Sequence, residues 1–192
     1  MSYTTPTEQV ITSPHLVDVI IKKIQTQLAS LTWITKSFGR AYKHTRLVDS
    51  RTVTYPAIFQ SWKSDYYDGF PNDNLTAYSF IYVNPEEIIE KGSKIHNIQR
   101  KISVIIFFDL EKIDNTLQYR FTELLKEDVL IKLGNVRGLE VNGTSDEVED
   151  AFSDFSISEI NPEFLKERYG ALRIDCTVYY LNTKCTINTY TS

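Results

Sequence analysis

The sequence predicts an α+β domain: one mainly antiparallel sheet, an N-terminal helix, a second covering helix and a long β-hairpin arm. Three observations predict it. Apolar residues recur at helical spacing in two places, and period-two apolar patterns fill the stretches between and after them. The 192 residues leave room for one ordinary domain. A composition of 42% hydrophobic and 24% charged residues excludes a disordered or fibrous chain.

Residues 1–12 are polar and Thr-rich and read as an N-terminal arm, with residues 13–192 as the single domain. Ser13 suits an N-cap and Pro14 the first helical position, and Leu16, Ile20, Ile24, Leu28 and Leu31 form one apolar stripe. Gly39 is expected to end or bend this element. A locally basic connector follows, with Lys36, Arg40, Lys43, Arg46 and Arg51 opposed by Asp49. The first strand spans 51–59, where Pro56 marks an edge or bulge because it cannot donate to a ladder. In the second strand, 75–83, Tyr78, Phe80 and Tyr82 share one parity and Leu75, Ala77, Ile81 and Val83 the other, so both faces meet protein. The third, 102–110, reads as central, with Ile102, Val104, Ile106 and Phe108 facing the core. A covering helix is expected from Asp114 to about Gly134, using Leu117, Phe121, Leu124 and Leu125. A fourth strand spans 136–141. An acidic insertion over 144–163, a loop or short helix, separates it from the last strong strand, 171–181, where Leu172, Ile174, Cys176, Val178 and Tyr180 share a face.

Signs of catalysis are few. His15, His44 and His96 show no pairing pattern, and no nucleophile elbow, zincin, Walker A or dinucleotide-binding motif occurs. Cys176 and Cys185 lack the spacing of a redox or zinc pair and are expected to be reduced, so no metal or cofactor is expected. The carboxylate pairs Asp109/Glu111 and Asp146/Glu147 read as solvated faces. A net charge of −4 argues against nucleic-acid binding over the whole surface. The first residues lack a secretory pattern, and the longest apolar run, 104–108, is too short to cross a bilayer, so no membrane partner is expected.

The loop over 60–74 carries more information. Hairpin connections usually have about two to five residues, yet this one is far longer and holds Trp62, Tyr66, Tyr67 and Phe70. Two readings stand: a lid folded over the domain's own core, or an arm whose aromatics fill a pocket on a neighbouring subunit. Stacking on single-stranded nucleic acid fits less well, because Lys63 is outnumbered by Asp65, Asp68 and Asp73. Charge is also segregated. The basic residues Lys36, Arg40, Lys43, Arg46 and Arg51 stand apart from the acidic set Asp146, Glu147, Glu149, Asp150 and Asp154, to be neutralised within one subunit or between copies.

The order of elements resembles the tail-terminator and head–tail joining family of tailed bacteriophages. The likeness spans residues 13–187: an N-terminal helix, a long-armed hairpin, a strong third strand, a helix entered through Phe107-Phe108-Asp109-Leu110-Glu111-Lys112-Ile113, and a final hairpin. The ending Tyr179-Tyr180-Leu181-Asn182-Thr183-Lys184-Cys185 is similar to neck-ring proteins of short-tailed phages of Bacteroidetes-like hosts. The resemblance implies a non-enzymatic virion protein, assembled in the host cytoplasm into a six- or twelvefold ring of its own copies. Portal, connector or tail rings would adjoin it, and DNA would pass through without specific binding. It implies that loop 60–74 reaches a neighbour. The acidic residues would then line the channel or an inter-ring contact, and the basic ones would face another protein. From the residues alone, two alternatives stay open: a small-molecule or peptide-binding domain with an aromatic lid, and a metal-dependent hydrolase using clustered carboxylates.

Overall fold

The computed structural model describes residues 14–60, 65–91, 95–116 and 120–183. Ser13, Trp62, Leu117 and Cys185 lie outside them. In chain order the elements are α1 (Val17–Ala29), β1 (Lys36–Val48), β2 (Arg51–Gln60), β3 (Asp65–Asp68), β4 (Ala77–Lys91), β5 (Ile95–Asp109), α2 (Leu110–Ile113), α3 (Thr122–Gly134), β6 (Leu139–Ser145), α4 (Val148–Ala151) and β7 (Tyr169–Thr183). The strands form one seven-stranded sheet in the order β3-β2-β1-β4-β5-β7-β6. Every neighbouring pair is antiparallel except β1 and β4. The α+β class and the mainly antiparallel sheet are as the sequence predicts.

The central strand β5 explains the layering. Ile102, Val104, Ile106 and Phe108 point to one face and Ile105 and Phe107 to the other, and all six are buried. Because successive side chains alternate between faces, two cores must form. On one face α1 contributes Ile20, Ile24 and Leu28, and α3 contributes Leu125, Val129 and Leu133, packed over Ile81, Val104, Ile106, Phe108, Leu172, Ile174 and Val178. On the other face Phe152 and Phe155 from the acidic insertion, with Phe164 just after it, cover Tyr78, Phe80, Phe107 and Ala171. The acidic insertion is thus half apolar, and its phenylalanines form the second layer.

Several expectations are corrected. Residues 36–48 form strand β1 and are not a connector, and Gly39 neither ends nor bends the helix, which stops at Ala29. Gly39 sits inside β1, bracketed by the register shift between Ser37 and Arg40. The turn to β2 is made by Asp49 and Ser50, both at positive φ (47° and 64°), which matches the right-handed twist of a two-residue hairpin. The covering helix starts later than expected: Asp109, not Asp114, caps a short α2, and α3 begins at Thr122. Its buried stripe runs Phe121, Leu125, Val129, Leu133, a spacing of four, which leaves Leu124 52% exposed on the opposite side. The fourth strand is shifted to 139–145, and Val136 is buried in the turn before it.

One cross-strand pair is especially tight. Gly170 lies opposite Phe108, and a Cβ at Gly170 would meet the Phe108 ring at 2.5 and 2.8 Å. Trp33 meets the same ring edge-on at 6.1 Å between centroids. Phe108→Ala is expected to lower the unfolding free energy by about 3–5 kcal/mol, and Gly170→Ala by about 1–3 kcal/mol through overpacking. Urea denaturation measures both, and wild-type midpoints would contradict this packing.

Candidate interaction surfaces

The aromatic loop divides between the core and the surface. β3 pairs with the end of β2, placing Tyr67 opposite Ile58 and Tyr66 opposite Phe59. Tyr67 stacks on the buried Phe38 at 5.1 Å and takes a hydrogen bond from Asn72. Phe70 is only 8% exposed and packs near Phe152. Both side chains pack against the second core of their own chain, Phe70 buried in it and Tyr67 partly buried beside it. The residues from 65 onward are a strand and a core plug, not a free arm. Tyr66 is different: it stays 44% exposed, against Phe59 at 5.3 Å and His44 at 4.4 Å. Trp62 lies outside the described residues.

The basic residues are spread along β1, and strand alternation sorts them. Arg40 lies opposite Ile81, on the face that α1 covers, and its guanidinium is 3.9 Å from Asp18 of α1. Tyr42, His44 and Arg46 continue that face. Arg40 stands over the Tyr42 ring (5.0 Å), Arg46 over the Tyr55 ring (4.6 Å), and Arg46 pairs with Asp68 at 2.6 Å. Aromatic rings interleaved with guanidinium groups result, with Tyr42 and Tyr66 exposed, Phe59 partly buried, and Tyr55 packed also against the second core. Lys43, on the opposite face, joins a different group, Lys36 lies 5.8 Å from the Phe38 ring, and Arg51 is exposed at the hairpin tip.

That group is a chain of charges across the second face. Lys43 Nζ donates to Asp154 Oδ1 at 3.0 Å, and Arg173 Nη1 lies 2.7 Å from Asp154 Oδ2. Arg173 Nε donates to Asp175 Oδ1 at 2.9 Å, which also accepts from the Ser103 hydroxyl at 2.6 Å. Burial on its own would raise the Asp154 pKa, but hydrogen bonds from Lys43 and Arg173 outweigh it and hold the carboxyl below the usual range. Burial opposes the Lys43 charge in the same way, and Asp154 with Tyr82 reverses that, raising the ammonium. Asp146 and Glu147 are likewise near cations of their own chain, Lys126 (3.9 Å) and Arg120 (3.8 Å). The charge segregation is therefore largely neutralised within the subunit. Of the five acids, Glu149 and Asp150 stay exposed without an ion pair among the described residues.

A further surface was not singled out from the sequence. On α3, Leu124, Glu127, Asp128 and Ile131 stand at i, i+3, i+4 and i+7, which places them on one outer stripe. Leu124 and Ile131 are 52% and 59% exposed, and Asp128 accepts a hydrogen bond from the Trp33 indole at 3.2 Å. The signal was present, since apolar residues on both sides of a helix point to two packing partners. For β1 it was the alternation Arg40, Tyr42, His44, Arg46. Neither the protein-family models nor the curated proteins that were compared match the sequence.

Two predictions test this geometry. Phe70→Ala is expected to cost about 3 kcal/mol or more in a chain held monomeric by dilution, and an unchanged stability there would return Phe70 to the surface. Asp154→Asn is expected to cost about 1–3 kcal/mol at neutral pH by breaking charged hydrogen bonds. The lowered carboxyl pKa makes this contribution complete above the ordinary carboxylate range, near about 3.9. It is lost as the pH falls through that range and then through the lower folded value. A wild-type chain with no loss of tryptophan-monitored stability below about pH 4 would contradict the assignment.

Proposed function

We propose that this chain is a non-catalytic structural subunit that closes with copies of itself into a ring at the head–tail junction of a tailed bacteriophage, in the manner of tail-terminator and neck-ring proteins. The observation that carries the reading is the uneven covering of the sheet. Seven strands at about 4.8 Å span about 29 Å, whereas two helices side by side cover about 20 Å. The aromatic side of β1 to β3 is left over, with Tyr42 and Tyr66 more than 40% exposed. Exposed tyrosines beside arginines have the composition of a protein interface centre. The order of elements supports the phage family, and a six- or twelvefold ring is closed by heterologous contacts between different patches of neighbouring copies.

DNA passage fits the same reading. A continuous basic lining would retain DNA through counterion release, and Lys43, Arg40 and Arg46 are each held beside a carboxylate. Glu149 and Asp150 are the acids that suit a channel or a rim. No helix among the described residues is long and apolar enough to cross a membrane.

Gold-labelled antibody against this chain, applied to the tailed particles of the lysate in which it is made, tests the assignment. Label confined to the head–tail junction is expected. Particles that carry none, or carry it on the capsid or the fibres, would overturn it.

A further inference from the structure

β7 is longer than the strand beside it. β6 begins at Leu139, opposite Val178, and one further bond, from the Tyr179 amide to the Gly138 carbonyl at 2.8 Å, closes that ladder. β7 runs on to Thr183 with β5 alone beside it. Backbone groups alternate along a strand, so the amide and carbonyl of Leu181 point the same way as those of Tyr179, into a position that β6 does not reach. Among the described residues no strand pairs there. This edge borders a groove of about 610 Å³, lined also by Leu16, Val19 and Ile20 of α1 and by Ile98 of β5. Leu16, Val19, Tyr179 and Leu181 are 36% to 62% exposed. Lys23 and Arg137 line the groove against one carboxylate, Glu90, and none of the three has an ion pair among the described residues.

We propose that residues 8–12 of the same chain fill this groove, adding as a short strand along the free edge of β7. The inference does not depend on the ring reading. Reach, composition and charge carry it. Residues 1–13 lie outside the described residues, and the chain enters α1 through Leu16, itself part of the groove wall. Ile11 is five residues before Leu16, a span of at most about 18 Å. Pro6 and Pro14 bracket the run Thr7-Glu8-Gln9-Val10-Ile11-Thr12-Ser13, which has neither proline nor glycine and whose β-branched residues favour a strand. An exposed edge with an apolar wall takes an extended segment through main-chain bonds and alternate side chains. Alternation sends Ile11 towards Val19 and Ile20, and Val10 to the opposite face beside Leu181. Glu8, the only charged side chain before Pro14, then meets the unpaired Lys23 and Arg137. The other strand-like segment, residues 184–192, starts at the far end of β7. It would have to reverse on Thr183 and Lys184, without the glycine or asparagine of a tight hairpin turn.

Cross-linking of the full-length chain in a Cys185→Ser background tests the placement; Cys176 is 1% exposed and does not compete. With Val10→Cys and Leu181→Cys, mild oxidation of dilute chain is expected to give an internal disulfide, read as a monomer two mass units lighter. Val10→Cys paired with Leu165→Cys, an exposed position outside the groove, is expected to stay reduced. Equal oxidation of both pairs would show a segment that is merely tethered, and disulfides formed only between chains would assign the groove to another copy's segment; either overturns the proposal. The second measurement is amide exchange at Leu181, expected to be at least tenfold faster in Ile11→Ser than in the wild-type chain, with exchange in β5 unchanged. A Leu181 amide that exchanges freely in the wild-type chain, or one that stays protected in Ile11→Ser, would also overturn it, the latter by pointing to a different occupant.

Discussion

A strand that is apolar on both faces must be covered on both faces, and β5 imposes that requirement on the whole chain. Its six buried apolar side chains from Ile102 to Phe108 divide between two cores, so a single helical layer would leave one set in water. Two consequences follow. The residues between β6 and β7 have to supply the second layer, which is why a stretch rich in Asp and Glu also carries Phe152, Phe155 and Phe164. And the sheet, once it has recruited β1 to β3 beyond β4, becomes wider than the two helices available on the first face. The exposed Tyr42 and Tyr66 are the residue of that mismatch.

Electrostatics serves the fold more than the surface. The acidic insertion would be repelled by its own charge density were it not tied down, and Lys43 of β1, Arg173 of β7, Lys126 of α3 and Arg120 just before α3 do this. At the other end of β5, Asp109 is 1% exposed and is gripped by Arg168 through both oxygens, at 3.0 and 2.6 Å. Burial would raise its pKa, and the Arg168 guanidinium with the Lys112 amide more than offsets this, so the carboxyl stays ionised where it caps α2. With these carboxylates engaged internally, aromatic and apolar groups are left as the main material for contact with other chains.

Much of this was legible in the sequence, and the parts that were not failed for identifiable reasons. Period two was unambiguous in β5 from Ile102 to Phe108 and in β7 from Leu172 to Tyr180, where apolar residues occupy one parity without interruption, and the core parity was read correctly. β1 was missed because its alternation is between charged and aromatic residues, a pattern that a half-exposed strand produces and that apolar counting ignores. Leu124 was assigned to the core because it sits next to Leu125; only the stripe from Phe121 through Val129 to Leu133 sets the helix rotation, and that stripe needed the later start at Thr122. The loop over 60–74 held both outcomes at once: Tyr67 and Phe70 turned inward against Phe38 and Phe152, and Tyr66 remained outside. Composition alone could not divide them, because the division depends on β3 pairing with β2.

The central claim is that the exposed aromatic side of β1 to β3 becomes buried when subunits associate. Amide hydrogen exchange, compared between dilute monomer and concentrated assembly, reads this segment by segment. The account predicts that protection rises in residues 40–46 and 65–68 and changes little in the buried strand β5. Protection that rises instead along the β6 edge, or at the exposed end of the β4–β5 hairpin around Ile88 and Ile89, would contradict it.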